Sequence, residues 1–492
     1  MNTPSEQKLN DKPQWKFEKK RWLITASVMI GIIVTSLAVN NSFKSTLIIL
    51  QGNSTLKGQT TESYPKMDRT YKDEIAIPYF RQNIHEKFSK LHCTGSENDI
   101  QVWQDRLCIF HNTCYEKDTG HFYYFQQTQR KTKPVFYDSS KGMLFQFSEN
   151  NDGVGFVSLS TGADTAWAPI VINESYPMKN FTRLRHLHTL MKYFFAESNI
   201  GHGLWEDLGS ISYSMERMNV VDRKLVIMHL GKISNSTLIE AYHQYVIPAL
   251  TDNPMVELEA YVSSFNTKYI CFDNLMAGGK HLVIVNEKMK ENHGREALFY
   301  NWRSKIIQYN GLDPKFIPKK HHIIITNKSH SIWTQSGSPR HRAIANLEQV
   351  EQFIRLTYPT VSTEVVEWHK MPFNRQIEKL LSTTILITPC GGVSFIIPLL
   401  PHGAHAIVMD YYVNIDEFGF HSGQSGSMDA AFLNHIPHVR MQYYQVYGPE
   451  DFEFDFPGAT NARESSSVIV NMTRLQLLVD TALEDMEPWK IL

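Results

Sequence analysis

The chain has 492 residues, 42% of them hydrophobic, 12% aromatic and 20% charged, a globular composition with more length than one compact core needs. Its formal net charge of -1 gives nucleic acid no electrostatic footprint, and its 21 histidines fall at no metal-ligand spacing. Five cysteines (Cys93, Cys108, Cys114, Cys271 and Cys390) are too few for a disulfide scaffold, and an odd number leaves at least one outside any intrachain bridge.

In chain order, the first predicted element is an apolar run. Residues 22–39, WLITASVMIGIIVTSLAV, carry no charge and would span about 27 Å at ~1.5 Å per residue, close to a bilayer core. Lys12, Lys16, Lys19, Lys20 and Arg21 precede it, so the positive-inside rule predicts a cytosolic tail (1–21), a retained anchor and a lumenal body. A cleaved signal peptide is the competing reading, but the run and the segment before it are both long for one. Residues 40–74 are polar and read as a stem. N-x-S/T sequons occur at Asn40, Asn53, Asn173, Asn180, Asn235, Asn327 and Asn471. Asn40 lies too near the bilayer and Asn327 in a buried context, which leaves Asn53, Asn173, Asn180, Asn235 and Asn471 as expected glycosylation sites.

The body alternates strands with helices. Short, continuous, β-branched runs at 224–230, 281–285, 321–326, 383–388 and 404–410 suit strands buried on both faces of parallel sheets. Helical spacing at 347–356 and 373–381 falls between them, and an amphipathic helix at 468–483 closes the chain, expected to pack back across a domain junction. The pattern predicts α/β architecture: two doubly wound domains, 75–300 and 301–492, facing each other across a cleft.

Three segments carry candidate chemistry. In 199–211, NIGHGLWEDLGSI, a helix would put Leu204, Leu208 and Ile211 on a core stripe and pair His202 with Glu206 at i, i+4, beside Asp207. A histidine among carboxylates can tune a base, although a solvated helix face with an incidental His–Glu pair has the same spacing. In 384–412 a buried strand runs into Cys390, Gly391, Gly392, Val393 and Ser394, and a second strand ends at Asp410. Glycines there admit a ligand to the backbone, and amides at a following helix start can hold phosphate; a tight packing turn is the plainer alternative. In 338–346, Arg340 and Arg342, with Lys328, put positive charge past a strand end, which suits a diphosphate or simply a solvated basic loop. The pairs His186/His188 and His435/His438 read as structural or surface histidines, and 451–455 as a loop or edge strand rather than a metal clamp.

Taken in order, these segments resemble glycosyltransferase family 61, most closely its animal-type branch of protein O-mannose and EGF-domain N-acetylglucosaminyltransferases. The resemblance rests on CIFHNTCY from Cys108 to Tyr115 with GHFYYF after it, N-x-x-H-x-x-x-E-D-L from Asn199, C-F-D at Cys271, R-x-I-x-N from Arg342, the P-F-x-x-Q-I helix from Pro372, and the glycine loop. It covers roughly 90–415. It implies a GT-B fold, an acceptor-side domain at 75–300, a nucleotide-sugar domain at 301–492, and inverting transfer from a UDP-sugar with no obligatory metal. Glu206 would be the base, Asp207 the second choice and His202 its orienting partner. Lys328, Arg340, Arg342, the loop from Cys390 to Ser394 and Asp410 would bind the donor. N-acetylglucosamine, or xylose or arabinose, would pass to a glycan or glycoprotein in the Golgi or ER, and a homodimer is allowed. Cys108 with Cys114 is the expected local disulfide, with Cys390 left as a thiol. Two departures stand in the donor region: Cys390 replaces the loop's usual histidine, and Asn327-Lys328 stands where an arginine is usual. They motivate an alternative reading, an inactive Golgi scaffold or glycan-binding protein.

Overall fold

The computed structural model describes residues 87–94, 106–127, 157–159, 166–177, 179–192, 199–278, 296–328, 331–332, 339–340, 342–412, 429–454 and 462–486. The expected anchor, tail and stem, Asn53, the run at 281–285 and the side chains of Arg340 and Asp410 lie outside the described residues. Among the described residues no helix is long and apolar enough to cross a membrane.

The body is α/β, built on two sheets. The strands of the first are β1 (Lys90–Thr94), β2 (Leu107–Glu116), β3 (His121–Phe125), β4 (Ile170–Ile172), β5 (Phe181–Met191), β6 (Val226–His229), β7 (Val256–Glu257) and β8 (Tyr269–Gly278). They run in the order β4-β3-β2-β8-β5-β6-β7, with β1 also paired to β2. The expected doubly wound first half is corrected here. From β8 through β5 and β6 to β7 the pairing is parallel, but β2 pairs antiparallel with β1, β3 and β8. For β2 and β3 the cause is local: Gly120, at φ 71°, closes a tight turn with its amide on Glu116 O at 2.9 Å, and so short a connection can only join antiparallel strands.

The second sheet has five strands, all parallel: β9 (His322–Thr326), β10 (Ser362–Val366), β11 (Ile385–Pro389), β12 (His405–Tyr412) and β13 (Arg440–Val446), ordered β10-β9-β11-β12-β13. Alternate side chains feed two cores, Ile324, Leu386, Ala406 and Val408 on one face and Ile323, Ile325, Ile385, Ile387 and Ile407 on the other. This is why the runs read as continuously apolar.

Helices α1 (Gly209–Arg217), α2 (Thr237–Tyr245), α3 (Glu296–Tyr309), α4 (Leu347–Thr357), α5 (Phe373–Leu381) and α6 (Met472–Met486) complete the layers. The first core holds residues of α1, α3 and 392–399 together with the inner faces of both sheets. The closing helix does not span the junction as expected. Leu475, Val479, Ala482 and Met486 share one stripe buried against the second sheet, and Tyr358 Oη donates to Asp480 at 2.6 Å. Residues 452–454 form a short strand paired with 466–468, and Asp451 is paired with Arg474.

The disulfides are Cys93–Cys108 and Cys114–Cys271, not Cys108–Cys114. Cys108 and Cys114 lie on one extended strand, where six residues separate them by about 20 Å, far past bridging distance. Each pairs instead with the cysteine directly opposite on a neighbouring antiparallel strand. Cys390 is buried and outside both bridges. Non-reducing peptide mapping is expected to link 93 with 108 and 114 with 271, with Cys390 alkylated only after unfolding. Replacing Cys114 and Cys271 together by alanine is expected to cost about 2–5 kcal/mol of stability, read as a lowered melting temperature.

Candidate active site

The strand order of the second sheet reverses between β9 and β11. Ligands of open parallel sheets bind at such a point, beyond the carboxyl ends of the strands. Here β9 leads into Asn327 and Lys328, and β11 into Cys390 and Gly391, with Lys328 Nζ donating to Cys390 O at 3.0 Å. Gly391 adopts φ 89°, ψ -154°, a conformation open essentially to glycine alone. A Cβ there would also lie 2.7 Å from Arg342 Nη2, so the missing side chain is what lets the guanidinium lie against the turn. Arg342 Nη1 is 4.0 Å from the Cys390 sulfur, and its Nε is buried without a hydrogen-bond acceptor. Among the described residues no carboxylate pairs with Arg342.

The eight residues after the turn, Gly392–Leu399, wind as a 3-10 helix whose first amides, Gly392 and Val393, have no intrahelical acceptor and belong to partly exposed residues. The Gly391 amide points elsewhere, to Asp429 Oδ2 at 2.7 Å. Ser394 is buried, with its hydroxyl 2.7 Å from Asp429 Oδ2 and 2.7 Å from Gly391 O.

The acidic helix faces this turn. His202–Leu208 is a π-helical stretch, the Gly209 amide reaching back to Leu204 O, and it continues into α1. Such turns cost regular bonding and concentrate at functional sites. The alternative of a solvated face fails: from 201 to 215 every residue but His202 is buried, because the helix runs inside the shared core. His202 Nδ1 is bonded to Glu206 Oε2, with 16% of the histidine side chain exposed and 1% of the glutamate. Asp207 is buried, and its Oδ2 has no partner. Burial, then the neighbouring Glu206 charge, pushes its carboxyl well above the usual range, so it holds its proton. Tyr242, raised by burial and by Asp207, packs over Gly203, where a Cβ would lie 2.3 Å from its hydroxyl.

Helix and turn are in direct contact. Trp205 Nε1 donates to Phe395 O at 2.9 Å, a Cβ on Gly201 would lie 2.7 Å from the Phe395 ring, and one on Gly392 3.3 Å from Asn199 Oδ1. The fold therefore gathers His202, Glu206 and Asp207 with Lys328, Arg342 and the stretch from Cys390 to Ser394. Asp429 belongs to this cluster and was not anticipated, since a lone aspartate ahead of a one-turn helix carries no motif. Of the other histidine pairs, His188 and His438 are buried, His188 bonding His186 O and Tyr261 and His438 bonding Pro398 O, while the His186 side chain is exposed. Among the described residues no group of three or more His, Cys, Asp or Glu side chains could hold a metal.

Residues 279–407, roughly a quarter of the chain, match the family model described as Glycosyltransferase 61. No curated protein matches the chain. The matched stretch contains β9, α4, β10, α5, β11 and the glycine turn. Over it the chain is similar to glycosyltransferases, with which the α/β architecture agrees, and the match supports transferase activity with a donor and an acceptor as substrates.

Asp207 sets a pH dependence. Below about pH 4 it is protonated in both folded and unfolded chains and costs nothing. As pH rises the unfolded chain releases this proton and the folded one keeps it, so stability falls until the raised folded pKa is passed. Asp207→Asn removes that loss. Its melting temperature is expected to exceed the wild type by a margin that grows between pH 4.5 and 7.5, and a margin that shrinks with pH would contradict the protonated assignment.

Proposed function

We propose that the chain is an inverting glycosyltransferase of GT-B type that transfers a sugar from a UDP-sugar to a hydroxyl of a glycan or glycoprotein. The observation that carries this reading is the Arg342 guanidinium, half-buried at the switch point of a parallel sheet and lying against a glycine turn, with no carboxylate among the described residues to neutralise it. An uncompensated fork of this kind suits a diphosphate, which accepts two parallel hydrogen bonds. Lys328 adds a second cation where the resemblance lacks its arginine, so that departure does not favour the inactive alternative.

In the reaction, the diphosphate rests on Arg342, Lys328 and the Gly392 and Val393 amides, which stabilise the charge that develops as UDP leaves. The acceptor oxygen attacks the anomeric carbon from the opposite face, the bond to the β-phosphate oxygen breaks, and configuration inverts. The acceptor proton goes to the His202–Glu206 pair. Glu206 is too buried to meet an acceptor directly, so the partly exposed imidazole takes the proton and Glu206 stabilises the resulting imidazolium. Asp207, neutral beneath them, keeps a second negative charge out of the pair's surroundings. N-acetylglucosamine is the first donor sugar to test, then xylose and arabinose.

A lumenal setting behind a type II anchor in Golgi or ER is part of the proposal. Two cross-strand disulfides support it, as does the exposure of Asn173, Asn180, Asn235 and Asn471, whereas Asn327 is half-buried.

The test is UDP binding and turnover of a nucleotide-sugar panel by the full chain, with and without EDTA. Arg342→Ala is expected to weaken UDP binding at least tenfold. His202→Gln is expected to leave UDP binding within threefold of wild type and to cut turnover by a hundredfold or more, with EDTA changing neither. Failure of the wild-type chain to bind UDP would overturn the reading and leave the scaffold.

A further inference from the structure

Asp429 sits at the start of the short helix Ala430–Leu433, where an aspartate ordinarily caps the amides of its own first turn. It makes no such cap. Its carboxylate turns instead to the glycine turn, Oδ2 accepting from the Gly391 amide at 2.7 Å and lying 2.7 Å from the Ser394 hydroxyl, with the aspartate itself 4% exposed. A buried carboxylate satisfied by two donors of one turn holds that turn in a single geometry, because any other leaves the charge unpaired.

Its own place is set by packing. Three residues on, Phe432 is fully buried against Phe299 (4.8 Å between centroids), Phe395 (5.3 Å) and Trp205 (5.6 Å). Phe395 belongs to the 3-10 helix after the turn, so carboxylate and turn ride on one aromatic cluster.

We propose that Asp429 is the positioning residue of the donor turn. It withdraws the Gly391 amide from any ligand and holds Gly391 in the glycine-only conformation that admits Arg342. It thereby leaves the Gly392 and Val393 amides, with Arg342, as the set that meets a nucleoside diphosphate. The ligand class rests on the function proposed above; the clamp on the turn does not.

Two readouts on the full chain separate them. Hydrogen exchange of the peptide containing Gly391 is expected to be slow in wild type and at least tenfold faster in Asp429→Ala. UDP affinity is expected to fall at least tenfold in Asp429→Ala, to stay within threefold of wild type in Asp429→Asn, whose amide oxygen still accepts from Gly391, and to fall by an intermediate factor in Ser394→Ala. Rescue by asparagine is the mark of positioning, since a general loss of folding would not respect it. If Asp429→Ala does not fold, Ser394→Ala and Asp429→Asn carry the test. Unchanged exchange in the alanine variants overturns the clamp, and so does an asparagine variant as weakened as alanine. Wild-type chain that fails to bind UDP while Asp429→Ala speeds exchange would sink the donor reading and keep the clamp.

Discussion

The hydrogen bond from Trp205 Nε1 to Phe395 O, set inside the packing of Trp205, Phe299, Phe395 and Phe432, joins the two halves of the site. Trp205 belongs to the helix that carries His202 and Glu206, and Phe395 to the turn that carries Gly391. Each segment comes from a different sheet, so neither sheet alone sets their separation. An indole packed against the Phe299 and Phe432 rings has little rotational freedom, and its one polar atom needs a buried acceptor. The Phe395 carbonyl meets that need, which ties the position of the turn to that of the helix. Trp302 adds a second tie of the same kind, its Nε1 donating to Leu204 O at 2.8 Å within the π-helical stretch.

Charge is distributed around this joint by sign. The acids are on the helix, where Glu206 is satisfied by His202 and Asp207 escapes ionisation by keeping its proton. The cations are past the strand ends, where Lys328 reaches a carbonyl and Arg342 lies on the turn. Asp429, beneath the turn, is met by an amide and a hydroxyl and not by Arg342. Among the described residues Arg342 pairs with no carboxylate, and its Nε is buried without an acceptor. Elsewhere the fold treats a buried cation differently: Arg303 is fully buried but donates to Pro314 O and Leu400 O, and burial lowers its pKa to about 10.

Much of the second sheet was legible because its strands are short, apolar on both faces and separated by amphipathic helices; β9, β11 and β12 fall on the expected runs. Of the first sheet only β6 falls on an expected run, that at 224–230. Strand β5 reads FTRLRHLHTLM, with Arg183, Arg185, His186 and His188 interrupting any apolar period, since only its second half is buried. Strand β2 reads as a cysteine hairpin until its pairing is known, and the disulfide partners follow from register, which spacing does not encode. Within the site, the i, i+4 spacing of His202 and Glu206 gave their pairing, but not the burial that makes the histidine the outer member. Asp429 was illegible for the same reason as the disulfides, because its contact with Gly391 spans 38 residues and depends on tertiary packing alone.

The matched family stretch and the site have different boundaries, which bears on how the chemistry is organised. Within 279–407 lie Lys328, Arg342, the glycine turn and the switch point, the set to which the proposed function assigns the donor. The histidine–glutamate pair precedes that stretch and Asp429 follows it. What assembles the three is the shared core, through rings contributed from each part: Trp205 from before, Phe395 from within and Phe432 from after. The two cations and the glycine turn accordingly belong to the matched stretch, whereas the histidine–glutamate pair and the carboxylate bonded to the turn come from flanking segments that only the folded chain brings to it.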